Sequence, residues 1–194
     1  MPEISLRLAT PETRLWRATP DEATRLGLPD PYWAFCWAGG QALARYVLDY
    51  GGALAGRRVL DFGAGGGVVG IAAALVGARV LASELDPVAI EAIRLNAELN
   101  GVEIETTSQD LSERSSLPQS AVLVGDVTYE AALARRVLAW LSRLAARGTL
   151  AIVADPGRGC LEETSLELLA RHEAPADNDR DGTLRVPTAV LRVR

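Results

Sequence analysis

A glycine-rich turn between two short apolar segments constrains this chain more than any other feature. The first apolar segment ends in an acid, Asp61, and the run 63–70 then opens an apolar helical pattern. A second apolar segment, 79–83, is followed by another acid, Glu84. In open α/β sheets such a turn lets the backbone approach a ligand, and the second acid accepts hydrogen bonds from ribose hydroxyls. The pattern therefore predicts an α/β fold that binds an adenosine-containing cofactor.

The composition argues against several classes of protein. The chain has 194 residues, of which 48% are hydrophobic and 23% charged, and this fits one globular domain. The net charge of −5 argues against nucleic acid as the main partner, and the apolar stretches are too short to span a membrane. Two distant cysteines and a single histidine suggest no metal site. The N-terminus lacks the features of a secretory signal, so we expect a cytoplasmic protein, and we expect a monomer.

Strand and helix patterns alternate along the chain. Strands are expected at 59–61, 79–83, 102–107, 121–124 and 149–154, and helices at 39–50, 68–76, 88–99, 130–147 and 161–171. A polar turn at 177–182 and a strand at 184–193 complete the pattern, and Pro187 predicts that this strand lies at an edge or carries a bulge. The alternation predicts an α/β fold with a doubly wound, mostly parallel sheet and an antiparallel C-terminal hairpin strand. We expect a single domain, with 1–30 as an N-terminal cap and 31–194 as the cofactor-binding core.

The glycine turn also matches a dinucleotide fingerprint at Gly65, Gly67 and Gly70, so a nicotinamide cofactor has to be considered. Three observations favour S-adenosylmethionine instead. An acid directly precedes the turn, nothing after residue 150 is long enough for a dehydrogenase substrate domain, and the C-terminal hairpin suits a methyltransferase sheet. The run from Asp61 to Gly67 resembles the first motif of the class I S-adenosylmethionine-dependent methyltransferases, which have a seven-stranded sheet.

This resemblance implies roles for a first group of residues. The turn would carry the methionine end of the cofactor, and the acid after the second strand would hold the ribose. An acid or amide after the third strand faces the adenine amine in such folds. The implied cofactor-binding residues in this part of the chain are Asp61, Gly63, Ala64, Gly65, Glu84, Gln109 and Asp110.

Three further motifs resemble the electron transfer flavoprotein β-subunit lysine methyltransferase family. They are the aromatic run from Asp30 to Tyr46, an Asp-x-x-Tyr pattern at 126–129, and the run from Asp155 to Arg158. Enzymes that methylate adenine or exocyclic cytosine amines usually carry a Pro-Pro-aromatic motif after the fourth strand, and this motif is absent. The resemblance implies a protein-lysine methyltransferase whose substrate is the flavoprotein β-subunit.

The same resemblance implies that Trp37 touches the cofactor, that Gly125 lines it, and that Asp126 and Tyr129 face the lysine as catalytic residues. Methyl transfer from a sulfonium requires a neutral amine, whereas free lysine has a pKa of about 10.4. Burial among aromatic rings and the positive sulfonium lower that pKa, while a nearby carboxylate raises it. We therefore interpret Asp126 as a group that orients the amine and stabilises the cationic product, with no need for a strong general base. Positioning is expected to supply most of the rate enhancement.

Two other functions stay open. A methyltransferase for a ribosomal protein would share the fold and the lysine chemistry. A non-catalytic cofactor-binding or scaffolding protein would share the turn, but the presence of Glu84, Asp126 and Tyr129 together argues against it. All 20 basic residues are arginine, which fits a GC-rich genome and also fits an enzyme that avoids modifying its own lysines.

Overall fold

A computed structural model describes residues 1–10, 31–161, 166–176 and 184–194. The expected turn at 177–182 lies outside these residues, and so does most of the expected N-terminal cap, namely 11–30. Across the described ranges, no helix is both long enough and apolar enough to cross a membrane.

In the described part of the chain, seven strands form one sheet in the order β3–β2–β1–β4–β5–β7–β6. The strands are β1 (Arg58–Phe62), β2 (Arg79–Ser83), β3 (Ile104–Thr107), β4 (Ala121–Val124), β5 (Leu150–Asp155), β6 (Leu166–Pro175) and β7 (Arg185–Val193). The first five strands are parallel, with Val59 of β1 opposite Val80 of β2 and Ala121 of β4. β7 runs antiparallel to both of its neighbours. The predicted doubly wound, mostly parallel sheet with an antiparallel C-terminal hairpin is confirmed.

The described residues include the α-helices α1 (Ala38–Tyr50), α2 (Val68–Leu75), α3 (Pro87–Leu99) and α4 (Ala131–Ala145). α1 precedes β1, and the other three connect strands. Capping explains where α3 begins, because Asp86 accepts the backbone N–H of Val88 at 2.8 Å and proline occupies the first helical position. Helical spacing explains what α4 buries, since Val137, Trp140 and Leu144 share one face.

The core consists of two main clusters, one on each face of the sheet. One cluster joins α1 and α2 to the sheet through residues such as Leu43, Val69 and Val80. The other joins α4 to the sheet, and there the Trp140 ring packs on Phe62 with centroids 4.9 Å apart. These clusters hold the carboxyl ends of β1 and β4 side by side, which is the topological switch point of the sheet.

The helix predicted at 161–171 is wrong from residue 166 onward, because these residues form β6. Leu, Glu, Ala and Arg there have high helix propensity, and local propensity therefore favoured the wrong element. Pairing with β7 from Leu166 to Pro175 overrides that preference, and a register shift between Leu168 and Ala170 interrupts the alternation typical of a strand.

Pro187 lies in β7, which is an internal strand, so the predicted edge strand is wrong. The register shift of this hairpin is in β6, away from the proline. Pro187 pairs with Glu173 of β6 on one side only, because the pairing of β7 with β5 ends at Ala189. Proline is tolerated at this position because the paired part of β5 does not reach as far as residue 187.

Candidate active site

A cavity of about 410 Å³ opens at the carboxyl ends of β1, β2 and β4. It brings together ten of the eleven predicted site residues, namely Trp37, Asp61, Gly63, Ala64, Gly65, Glu84, Asp110, Gly125, Asp126 and Tyr129. Leu6 and Leu8 of the N-terminal segment also line it. Open α/β sheets bind their ligands in this position, beyond the carboxyl ends of the strands.

The turn between β1 and α2 has a backbone that requires glycine. Gly63, Gly65 and Gly67 have φ values of +66°, +54° and +86°. A Cβ atom on Gly63 would also lie 2.5 Å from Cγ2 of Val127, and one on Gly66 would lie 2.9 Å from the carbonyl oxygen of Trp33. The turn is therefore packed directly against the loop after β4 and the aromatic run before α1.

Asp61 is buried beneath this turn. Its Oδ2 accepts the backbone N–H of Gly70 at 2.7 Å, so the carboxylate caps the first turn of α2. Burial raises the pKa of Asp61 to about 7, and the charge of Glu84 adds to this effect while the hydrogen bond from Gly70 opposes it. Asp61 thus supports the turn from below, and it is only 1% exposed.

Glu84 follows β2 and reaches across to the glycine turn. Its Oε2 accepts the N–H of Gly65 at 2.9 Å, and its Oε1 accepts the N–H of Leu85 at 2.8 Å. Each oxygen retains a lone pair for a further donor. The carboxylate is therefore held at the cavity wall in an orientation fixed by the backbone.

Of the two residues predicted to face adenine, only one lines the cavity. Asp110 lines the cavity, whereas Gln109 does not, and the side-chain oxygen of Gln109 accepts a hydrogen bond from Arg114 at 3.3 Å. Burial alone would raise the pKa of Asp110, but hydrogen bonding by Ser112 and the charge of Arg136, 3.6 Å away, lower it below its ordinary value. The geometry favours Asp110 over Gln109 as the residue that meets a ligand.

Helix α1 begins very close to the end of β4. A Cβ atom on Gly39 would lie 3.0 Å from the carbonyl oxygen of Gly125, and one on Gly125 would lie 3.2 Å from the Cα of Gly40. The N–H of Gly39 donates to Oδ2 of Asp126 at 3.0 Å. Small residues on both elements therefore bring the start of α1 within hydrogen-bonding distance of the loop after β4.

Asp126 is almost fully buried, with a side chain that is 5% exposed, and it forms a two-armed ion pair. Nε of Arg158 donates to Oδ1 at 2.8 Å, and Nη2 donates to Oδ2 at 3.1 Å. Arg158 belongs to the loop after β5 and lines the same cavity. The sequence motifs placed both residues after neighbouring strands but did not indicate that they pair.

Aromatic rings form the mouth of the cavity next to Asp126. Tyr129 is 47% exposed, and its ring centroid lies 5.8 Å from that of Tyr32. Tyr32 in turn lies 5.9 Å from Trp37, whose indole N–H donates to the carbonyl oxygen of Tyr32 at 2.8 Å. Phe35 extends the group at 5.8 Å from Trp37. Ring faces of this kind attract cations.

Several residues of the site had no role in the sequence-based predictions, and among them are Tyr32, Arg158 and Asn96. Asn96 is fully buried in α3; its Nδ2 donates to the carbonyl oxygen of Gly66 at 2.8 Å, and its Oδ1 accepts the N–H of Arg7 at 2.8 Å. An asparagine on the apolar face of α3 was the one available signal, because a buried amide needs polar partners.

The described part of the chain contains no group of three or more metal-ligating side chains. The polar and aromatic groups that line the cavity include carboxylates, aromatic rings, backbone amides and two arginines. This set is suited to a cationic ligand and an amine.

Comparison with protein families gives one match over most of this core. The model described as Ribosomal protein L11 methyltransferase (PrmA) matches residues 41–153, from α1 to β5.

Individual relatives match more of the chain. A protein of Xenopus laevis named electron transfer flavoprotein beta subunit lysine methyltransferase is 44% identical over 177 residues, which cover 90% of this chain and 70% of the relative. The protein of the same name from Rattus norvegicus is 36% identical, with 97% of this chain and 76% of the relative covered. A ribosomal protein L11 methyltransferase of Pseudomonas putida (strain GB-1) is 34% identical, covering 88% of this chain and 59% of the relative.

Solved structures share the fold at low sequence identity. Magnesium protoporphyrin IX methyltransferase (ChlM) from Synechocystis PCC 6803 with bound SAM superposes with a TM-score of 0.56 at 21% identity, over 80% of this chain and 79% of that one. The ribosomal protein L11 methylase of Lactobacillus delbrueckii subsp. bulgaricus gives a TM-score of 0.53 at 20% identity, over 78% and 77%.

Proposed function

Because the chain belongs to the electron transfer flavoprotein β-subunit lysine methyltransferase family, we propose that it transfers methyl groups from S-adenosylmethionine to lysine on the flavoprotein β-subunit. One observation carries the proposal. One cavity is lined both by the glycine turn with Glu84, which we call its cofactor end, and by Asp126 with the aromatic mouth, which we call its acceptor end. A cofactor bound at the turn would thus lie next to an acceptor that enters through the mouth.

The cofactor end of the cavity fits S-adenosylmethionine. The whole cavity has a volume of about 410 Å³, which is in the range of small-molecule and cofactor sites. Glu84 presents acceptor oxygens for ribose hydroxyls, and the carboxyl groups of Asp61 and Asp110 suit a ligand that carries positive charge. When bound, the cofactor supplies an electrophilic methyl group on a positively charged sulfur.

The acceptor end of the cavity fits a lysine side chain. Tyr32, Trp37 and Tyr129 offer apolar surface for the lysine stem and ring faces for a charged head. Asp126 supplies carboxylate oxygens behind them, held by Gly39 and Arg158. We assign Asp126 to orient the amine, and Tyr129 to line the lysine channel.

A ribosomal protein is the second candidate substrate, because the ribosomal protein L11 methyltransferase model matches residues 41–153. The higher identity and coverage of the flavoprotein-directed relatives favour the first candidate. The net charge of −5 suits a basic, lysine-bearing segment of either protein and disfavours nucleic acid.

The test is a methylation assay on two purified proteins in parallel, the flavoprotein β-subunit in its native complex and ribosomal protein L11, both from the same source. Intact-mass measurement should show one to three added methyl groups on the flavoprotein subunit with the wild-type enzyme. The Asp126→Ala variant should give at least about tenfold slower transfer while it binds S-adenosylhomocysteine with affinity close to that of the wild type. Because the enzyme contains no lysine, every methylated lysine belongs to the substrate.

Methylation of ribosomal protein L11 alone would transfer the assignment to the second candidate. Binding of NAD instead of S-adenosylhomocysteine in a calorimetric titration would contradict the cofactor. If Asp126→Ala lost cofactor affinity and the remaining complex reacted at the normal rate, Asp126 would be a cofactor-binding residue.

A further inference from the structure

We propose that Arg158 is a positioning residue that cancels the charge of Asp126, so that the target lysine reaches the methyl donor as a neutral amine. This inference rests on the proposed lysine methylation and assigns one further residue a role in that reaction. Its basis is the two-armed contact between Arg158 and Asp126 at the acceptor end of the cavity.

The requirement comes from the chemistry of the acceptor. In methyl transfer, the lone pair of the lysine nitrogen forms the new N–C bond, and the C–S bond breaks with its electrons left on sulfur. The ammonium form has no lone pair, and at neutral pH most free lysine is in that form. A buried carboxylate beside the lysine would increase the fraction of ammonium still further. Asp126 alone would therefore orient the lysine and at the same time make it unreactive.

Arg158 resolves this conflict because its guanidinium stays charged at every relevant pH. Both of its arms lie on Asp126, at 2.8 and 3.1 Å, so the pair carries no net charge. The side chain of Asp126 is 5% exposed and that of Arg158 is 28% exposed, so solvent screens the pair only in part. A carboxylate oxygen can still accept a further hydrogen bond, so Asp126 keeps the ability to orient an uncharged amine.

The loop after β5 is tied to the loop after β4 at a second point. Asp155 is 7% exposed; its Oδ1 accepts the hydroxyl of buried Thr128 at 3.2 Å, and its Oδ2 accepts the N–H of Gly157 at 2.8 Å. Thr128 lies between Asp126 and Tyr129 in the chain. This contact places Arg158 at a defined distance from the acceptor motif, as a positioning role requires.

The other charged groups of the cavity wall have partners of their own. Asp61 is bound to Gly70, Glu84 to Gly65 and Leu85, Asp86 to Val88, and Asp110 to Ser112 with Arg136 nearby. Among the described residues of the wall, the remaining titratable side chains are Tyr32, Cys36 and Tyr129, which are ordinarily neutral at pH 7. Within this described wall, Asp126 and Arg158 are therefore the charged pair at the aromatic mouth.

The test measures kcat, at saturating flavoprotein β-subunit and cofactor, from about pH 6.5 to 10 with the wild type, Arg158→Met and Arg158→Lys, because kcat reports titration within the enzyme–substrate complex. Arg158→Met keeps a long side chain and removes the charge. We expect its activity to rise at a pH about one unit higher than for the wild type, so that a roughly tenfold loss at pH 7 is largely recovered near pH 9.5. Arg158→Lys keeps the charge and should retain the wild-type profile within a few tenths of a pH unit.

Two controls accompany the profiles. Arg94→Met removes a guanidinium from an exposed ion pair with Glu91 and should leave the profile unchanged. Titration with S-adenosylhomocysteine should give affinities within about twofold for all variants, which separates a charge effect from misfolding.

Several results would overturn the inference. A loss by the same factor at every pH would make Arg158 a structural residue. Higher activity of Arg158→Met without an alkaline shift would mean that the arginine blocks the site. Self-methylation of the Arg158→Lys variant, which has no lysine besides the introduced one, would mean that residue 158 occupies the acceptor position. Wild-type enzyme that leaves the flavoprotein unmethylated at every pH would instead refute the proposed function, and the inference with it.

Discussion

The carboxylate of Asp61 accepts the backbone N–H of Gly70 at 2.7 Å, and this bond ties the end of β1 to the first turn of α2. Both residues flank the glycine turn, so the bond closes the turn from below. The carboxyl group is buried, and its pKa is raised to about 7, chiefly by that burial. Stability near neutral pH should therefore depend on the protonation of this one group.

The Asp61→Asn substitution should change how stability depends on pH. In the unfolded chain Asp61 has a pKa near 3.8, so its proton is lost on unfolding between about pH 4 and 7. The folded state then binds more protons than the unfolded state, and the contribution of Asp61 to stability falls as pH rises through this window. Relative to the wild type, Asp61→Asn should gain stability as pH rises from about 4 to 8, by up to a few kcal/mol. Urea midpoints measured across that range test this, and a constant difference would contradict it.

Gly70→Ala should destabilise the protein because the added methyl would meet the carboxylate. A Cβ atom there would lie 3.0 Å from Oδ2 of Asp61 and 3.3 Å from Val80. Overpacking of this kind costs about 1–3 kcal/mol. Gly52→Ala is the matched control, since a Cβ at that exposed position meets nothing within 4 Å. Thermal unfolding should show a lower midpoint for Gly70→Ala only, and equal midpoints would mean that the carboxylate moves aside freely.

Cofactor affinity should depend on Glu84. Glu84→Ala removes the carboxylate that accepts the N–H of Gly65 and is proposed to hold the ribose. Charge-assisted hydrogen bonds contribute about 1.5–3 kcal/mol, so we expect S-adenosylhomocysteine to bind about 10- to 100-fold more weakly. Glu84→Gln should lie between, because the amide oxygen can still accept from Gly65. Calorimetry measures these affinities, and Glu98→Gln, which changes an exposed acid on α3, controls for the loss of charge. Unchanged affinity of Glu84→Ala for S-adenosylhomocysteine would mean that another residue holds the ribose.

The ring of Tyr129 should affect the protein substrate more than the cofactor. Its centroid lies 5.8 Å from that of Tyr32, and about half of the residue faces solvent. Tyr129→Ala removes one face of the proposed lysine channel, which should raise KM for the protein substrate about two- to fivefold. Tyr129→Phe keeps the ring and should stay close to the wild type. A KM that rises equally in both variants would assign the effect to the hydroxyl.

Motifs whose residues lie close together in the sequence predicted the fold and most of the residues that line the cavity. The turn at 63–70, Glu84 and the alternation of strands and helices led to the observed sheet, and the methyltransferase family predicted from these motifs is confirmed. The strand β6 was missed because its ten residues favour a helix locally, and only pairing with β7 settles their conformation. The assigned roles of the site residues stay predictions.

Contacts between distant loops could not be read from the sequence. Arg158 belongs to a motif that the sequence shows, but its pairing with Asp126 depends on β4 and β5 lying side by side and on the path of both loops. Tyr32 likewise gains its place beside Tyr129 only when the aromatic run folds over the end of β4. Side-chain partners that tertiary structure selects leave no spacing pattern in the chain.

The buried amide of Asn96 has a practical consequence for handling the protein. It bonds the backbone of Arg7 on one side and that of Gly66 on the other, so the first ten residues and the cofactor turn share one anchor. Deleting the N-terminal segment would leave the Asn96 oxygen without its donor and would loosen the turn from a distance. An enzyme shortened by these residues would lose this anchor together with Leu6 and Leu8 of the cavity wall, and it would bind the cofactor weakly with every cavity carboxylate intact.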